Sequence, residues 1–125
     1  MKSNRPINLP LSQVISVNSS PIAIASILHR ISGIMLFLLI PVMLWILQTS
    51  LASPESFETL FDNVFVRFLA WVFVAFIAYH FVMGIKHLFA DNGSNEELKS
   101  ARMVTVVSFV IAAILIVASF IWVMF

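Results

Sequence analysis

The sequence predicts an all-α integral membrane protein, a bundle of three transmembrane helices. Two observations carry this: 61% of the 125 residues are apolar and 10% charged, against roughly half and a quarter in a soluble domain. The charges are also segregated. No Lys, Arg, Asp or Glu occurs from Ile31 to Pro54, from Phe68 to Ile85 or from Met103 to Phe125. Each gap can cross a hydrocarbon core of about 30 Å, which takes roughly 20 helical residues. The spans are expected near residues 22–48, 64–90 and 103–125, in one membrane domain covering 1–125.

The elements follow in order. The segment 1–21 is polar and contains Pro6 and Pro10; it lacks the apolar core of a signal peptide and the Arg-rich character of a transit peptide. The first span is expected to direct insertion, and the localisation to be a bacterial inner membrane. Ser53-Pro54-Glu55-Ser56 reads as a turn or helix start, and Asp91-Asn92-Gly93-Ser94-Asn95 clusters residues that tolerate turn backbone, so both read as short connectors. Lys2, Arg5, Arg30, Lys86, Lys99 and Arg102 fall on one side and Arg67 on the other. The positive-inside rule then places the N-terminus and second loop in the cytoplasm, and the first loop and the C-terminus in the periplasm.

Composition also excludes functions. A net charge of +1 gives no basic face for nucleic acid, and without cysteine there is no disulfide, thiolate metal site or iron–sulfur ligand. All six acids lie outside the uncharged spans, which weakens a carboxylate proton relay. The twelve Phe, six Met and three Trp are accounted for by lipid contact and core filling, with Trp45 and Trp122 as interfacial belts.

Ionisable residues at membrane depth are costly and mark function by default. His80 lies six residues before Lys86, about 9 Å deeper along a helix axis. His80, Gly84, His87 and Asp91 are spaced 4, 3 and 4 and share one stripe. The first span carries a second stripe in Ser26, His29, Arg30 and Gly33. Antiparallel packing brings His29 and Arg30 to the depth of His87. Plainer readings stand beside these: His80 hydrogen-bonded to a neighbouring helix, the two glycines as packing notches, Arg30, Lys86 and Lys99 as topology anchors, and Ser26 bonded to its own helix.

Arg5-Pro6-Ile7, the run from Ser26 to Gly33 (SILHRISG) and the run from His80 to Asp91 (HFVMGIKHLFAD) resemble the cytochrome b membrane-anchor subunit of succinate dehydrogenase. In that family the pattern is Arg-Pro, Ser-x-x-His-Arg-x-Ser and His-x-x-x-Gly-x-Arg-His-x-x-x-Asp. The likeness covers nearly the whole chain. It implies that His80 is an axial ligand of haem b iron, the second coming from a small anchor subunit. It places His29, Arg30 and His87 around the propionates, gives Ser26 and Arg30 a part in ubiquinone binding, and leaves Gly84 as room for the porphyrin. The implied partners are a flavoprotein and an iron–sulfur subunit on the cytoplasmic face, in complex II of the tricarboxylic acid cycle. A fumarate reductase anchor and a haem-free structural anchor are the alternatives. Lys86 stands where the family usually has Arg, keeping the charge but not the bidentate fork; Ala90 stands where an aromatic residue is common.

Overall fold

A computed structural model describes Asn8 and residues 10–125 as five helices, with no strand among the described residues. They are α1 (Leu11–Val17), α2 (Pro21–Ser50), α3 (Pro54–Asp62), α4 (Val64–Asp91) and α5 (Leu98–Met124). Lys2, Arg5, Pro6 and Ile7, which carry part of the charge asymmetry and of the resemblance, lie outside the described residues.

Helices α2, α4 and α5 are the three expected spans, each long and apolar enough to cross a membrane. At 1.5 Å per residue they run about 40 to 45 Å, longer than the hydrocarbon core, so their ends reach headgroup depth. Two boundaries differ from expectation. Helix α5 begins at Leu98 rather than near Met103, because Lys99 and Arg102 mark where lipid begins and not where the helix does. The first loop is not a bare connector: Ser53 caps α3, accepting from the Ser56 N–H at 3.0 Å with Pro54 in the first turn. Short α1 follows Pro10 within the polar N-terminal segment, ahead of the first span.

The long helices start and stop on local chemistry. Ser20 caps α2, accepting from the Ala23 N–H ahead of Pro21, and Asn63 caps α4, accepting from the Phe65 N–H at 2.9 Å. The far end of α4 closes as a Schellman turn. Ser94 N–H donates to Phe89 O and Gly93 N–H to Ala90 O, with Gly93 at φ +81°. Asn95 also takes a left-handed φ of 62°, as the run of turn residues anticipates. Pro41 sits inside α2 without ending it. It deprives the Phe37 carbonyl of its usual donor.

Helix α4 is the shared wall, packing most extensively on α5 and next on α2. Cross-helix bonds show both pairings to be antiparallel. Arg67 Nη1 donates to Met124 O at 3.0 Å and Trp71 Nε1 to Ile116 O at 3.2 Å, tying the start of α4 to the end of α5. Tyr79 Oη donates to Ala25 O at 3.2 Å, tying the second half of α4 to the start of α2. The starts of α2 and α5 and the end of α4 therefore share one face of the bundle. The centre is small and partly polar: Ala25, Ser32, Ile46, Met83, Thr105, Ser108 and Ala112 are buried. Thr105 and Ser108 satisfy their hydroxyls on carbonyls four residues earlier. Most large apolar side chains point outward, Trp45 and Trp122 among them, as a surface solvated by lipid or covered by other protein requires.

Candidate functional site: a histidine cluster between two spans

The site lies where the second half of α4 crosses the first third of α2. The stripe spacing puts His80, Gly84 and His87 on one side of α4, while Tyr79 and Met83 turn towards the bundle centre. On α2, His29 and Gly33 face them.

Three imidazoles meet there. The His29 ring stacks on His80, with centroids 4.1 Å apart and planes 13° from parallel, and meets His87 at 5.2 Å with planes tilted by 60°. The two glycines face this approach from opposite helices, Gly33 tightly and Gly84 at ordinary contact distance. A Cβ on Gly33 would meet His80 Cε1 at 3.1 Å, and one on Gly84 would meet His29 Nε2 at 3.4 Å. Each helix offers a notch to a histidine of the other, so the packing reading of the glycines and the functional reading of the histidines describe one arrangement. Gly84, expected to make room for a porphyrin, is here apposed to the His29 ring.

Hydrogen bonds fix one nitrogen of His80 and leave the other open. Nδ1 lies 2.9 Å from Ser32 Oγ and 3.2 Å from His29 O, and the Ser32 hydroxyl itself donates to His29 O at 2.7 Å. His29 Nε2 and His87 Nε2 are buried without a hydrogen-bond partner. Buried polar atoms left unpaired in this way call for an explanation such as a bound group. The rings stack instead of converging, and no group of three or more metal-ligating side chains could hold an ion among the described residues. A single imidazole of the cluster, His80, has one ring nitrogen anchored and the other without a hydrogen bond to a described residue, and so could ligate a metal.

The other expected residues sit around this core. Arg30 is exposed one residue beyond His29. Ser26 is half-buried. Ser32, Ser50, Ser108 and Ser119 turn their hydroxyls back on carbonyls three or four residues earlier, and Ser26 forms no such bond to a described residue. Lys86 departs from the anchor reading: it is only 7% exposed, its stem packed inside the bundle. Sequence reasoning missed Ser32 and Tyr79 as contributors. Ser32 carried a signal, one turn beyond His29 in a serine–histidine–arginine–serine run, but its cross-helix partner depends on how far two antiparallel helices slide along each other.

Beside Ser32 an apolar cavity of about 310 Å³ opens where the three long helices meet, walled by Leu28, Trp71, Ala75, Tyr79 and Ile116 among others. Its walls are almost wholly hydrocarbon, in contrast to the histidine side of the α2–α4 pair.

Fold and site together define a three-span helical membrane protein with a stacked histidine cluster between two of its spans. The chain is a member of the succinate dehydrogenase/fumarate reductase transmembrane subunit family, whose profile matches residues 1–119. It is also 35% identical over 127 residues to the succinate dehydrogenase cytochrome b556 subunit of Coxiella burnetii (strain RSA 493 / Nine Mile phase I), an alignment covering 98% of this chain and 99% of that protein.

Proposed function

We propose that this chain is the haem-b-carrying membrane anchor of a bacterial succinate dehydrogenase, with its N-terminus in the cytoplasm of an inner-membrane complex. In this reading it holds the flavoprotein and iron–sulfur subunits at the membrane, shares haem b with a small anchor subunit, and lines part of the ubiquinone site. The observation that carries the reading is the state of His80, half-buried between two spans with Nδ1 anchored to α2 and Nε2 in no hydrogen bond to a described residue.

The residues fit the group they would hold. His80 is the one histidine of the cluster with a second-helix anchor on its ring nitrogen, the arrangement metal-ligating histidines use to fix their orientation. Haem bound there supplies a one-electron carrier within the membrane. The unpartnered His29 Nε2 and His87 Nε2, with exposed Arg30 beside them, supply donors for the propionates. The Ser26 hydroxyl, free of its own helix, can donate to a quinone carbonyl oxygen. Arg30 would add positive charge where negative charge develops on that oxygen.

The test uses the assembled complex purified from membranes. Co-purification with a flavoprotein, an iron–sulfur protein and a second small membrane protein is expected, along with a b-type band in the reduced-minus-oxidised spectrum. The band should disappear in His80→Leu while the polypeptides remain assembled. A His80→Leu complex with an undiminished b-type band removes this residue as a ligand. Ser26→Ala is expected to weaken apparent quinone affinity, and unchanged affinity and turnover take Ser26 out of the site. Oxidation of succinate against reduction of fumarate, assayed with the extracted native quinone, separates this reading from the fumarate reductase one.

A further inference from the structure

The structure assigns Ser32 as a positioning residue that fixes the tautomer of His80, an inference that rests on the haem reading above. Three distances carry it: Ser32 Oγ to His29 O at 2.7 Å, Ser32 Oγ to His80 Nδ1 at 2.9 Å, and His80 Nδ1 to His29 O at 3.2 Å. A backbone carbonyl only accepts, and a serine hydroxyl has one proton.

If the Ser32 proton goes to the His29 carbonyl, a hydroxyl lone pair is left facing Nδ1, and Nδ1 must carry hydrogen. The opposite assignment has Ser32 donating to a bare Nδ1. That directs the Nδ1 lone pair at a carbonyl oxygen 3.2 Å away, and the carbonyl loses both donors from this triangle. The first arrangement satisfies every atom and the second sets two acceptors against each other. The neutral ring is therefore protonated at Nδ1, and Nε2 carries the lone pair that binds metal.

Ser32 is only 1% exposed and so has no water to replace this bond. The ring is confined from other directions as well, by the stacked His29 face and by the Gly33 notch at Cε1. Tautomer and ring orientation are thus set by α2 alone. An acceptor at Nδ1–H also makes the imidazole a stronger donor at Nε2, which favours ferric over ferrous iron and lowers the haem potential.

The test is a redox titration and low-temperature EPR of the purified complex carrying Ser32→Ala or Ser32→Cys. Alanine removes the acceptor and leaves only the longer His29 carbonyl bond, while cysteine retains a weak acceptor in nearly the same volume. The expected result is retained haem with a more positive midpoint potential and altered low-spin g-values in Ser32→Ala, and an intermediate shift in Ser32→Cys. A Ser32→Ala complex with wild-type potential and g-values overturns the assignment. So does equal loss of haem from both variants, which would make Ser32 a packing residue only. Absence of any b-type band from the wild-type complex overturns the haem reading itself and this inference with it.

Discussion

Replacing Gly33 by alanine tests the mutual fit of α2 and α4 at its tightest point. The added Cβ would lie 3.1 Å from His80 Cε1, whereas ordinary contact begins near 3.4 Å, so the ring must retreat by about 0.3 Å. Retreat from α2 stretches the Nδ1 contacts from 2.9 Å and 3.2 Å to about 3.2 and 3.5 Å, and the second then passes the limit of a useful hydrogen bond. A net hydrogen bond is worth about 1 kcal/mol. Losing most of one lowers the population of the anchored ring about fivefold. Valine at 33 adds two further methyl groups on the same side and leaves no room for the ring where it now lies. In the purified complex, haem per flavin should fall modestly in Gly33→Ala and severely in Gly33→Val. Gly33→Val with wild-type haem content and spectrum would refute this account of the notch. Gly84→Ala provides the contrast. Its Cβ would meet only His29 Nε2, at the ordinary distance of 3.4 Å, so the chain itself should tolerate it. Haem loss confined to Gly84→Ala would mean that the bound group lies against residue 84, as the family resemblance implies.

The remaining predictions concern the frame around the site. Arg67→Ala removes the charge-assisted bond to Met124 O, worth about 1.5 to 3 kcal/mol, and a cation at the negative end of α5. The detergent-solubilised complex should denature at lower temperature and its α5 end become more accessible to carboxypeptidase; an unchanged Tm and digestion rate would contradict the bracket. Tyr79→Phe deletes the tie to Ala25 O, a carbonyl that keeps its intrahelical donor. The expected cost is about 0.6 kcal/mol, the mean for such bonds between membrane helices, and a several-fold faster thermal inactivation would be larger than this geometry allows.

The spans were legible because charge and lipid exclude each other: the gaps from Ile31, Phe68 and Met103 locate α2, α4 and α5 without reference to packing. The same rule misplaced the start of α5, since Lys99 and Arg102 belong to a helix that continues beyond the hydrocarbon. The histidine stripes were legible from spacing alone, and the meeting of His29 with His87 followed from antiparallel order. The stacking of His29 on His80 and the bond from Ser32 to His80 were not legible. They depend on axial offset between helices, which hydrophobic periodicity does not encode when nearly every residue is apolar. Burial of Lys86 was hidden for a related reason, because a lysine near a helix end can extend to the interface or lie back along the bundle with the same sequence pattern.

The two glycine notches bear on how a cofactor would be loaded. Each receives a histidine from the opposite helix, so sliding α4 along α2 by one turn, about 5.4 Å, would drive both rings out of their recesses at once. The register is consequently set when the two spans associate. An imidazole already aimed has little rotamer freedom left to lose on binding. The partner subunit and its cofactor would then meet a finished half-site, and loading would be limited by encounter and not by rearrangement of this chain.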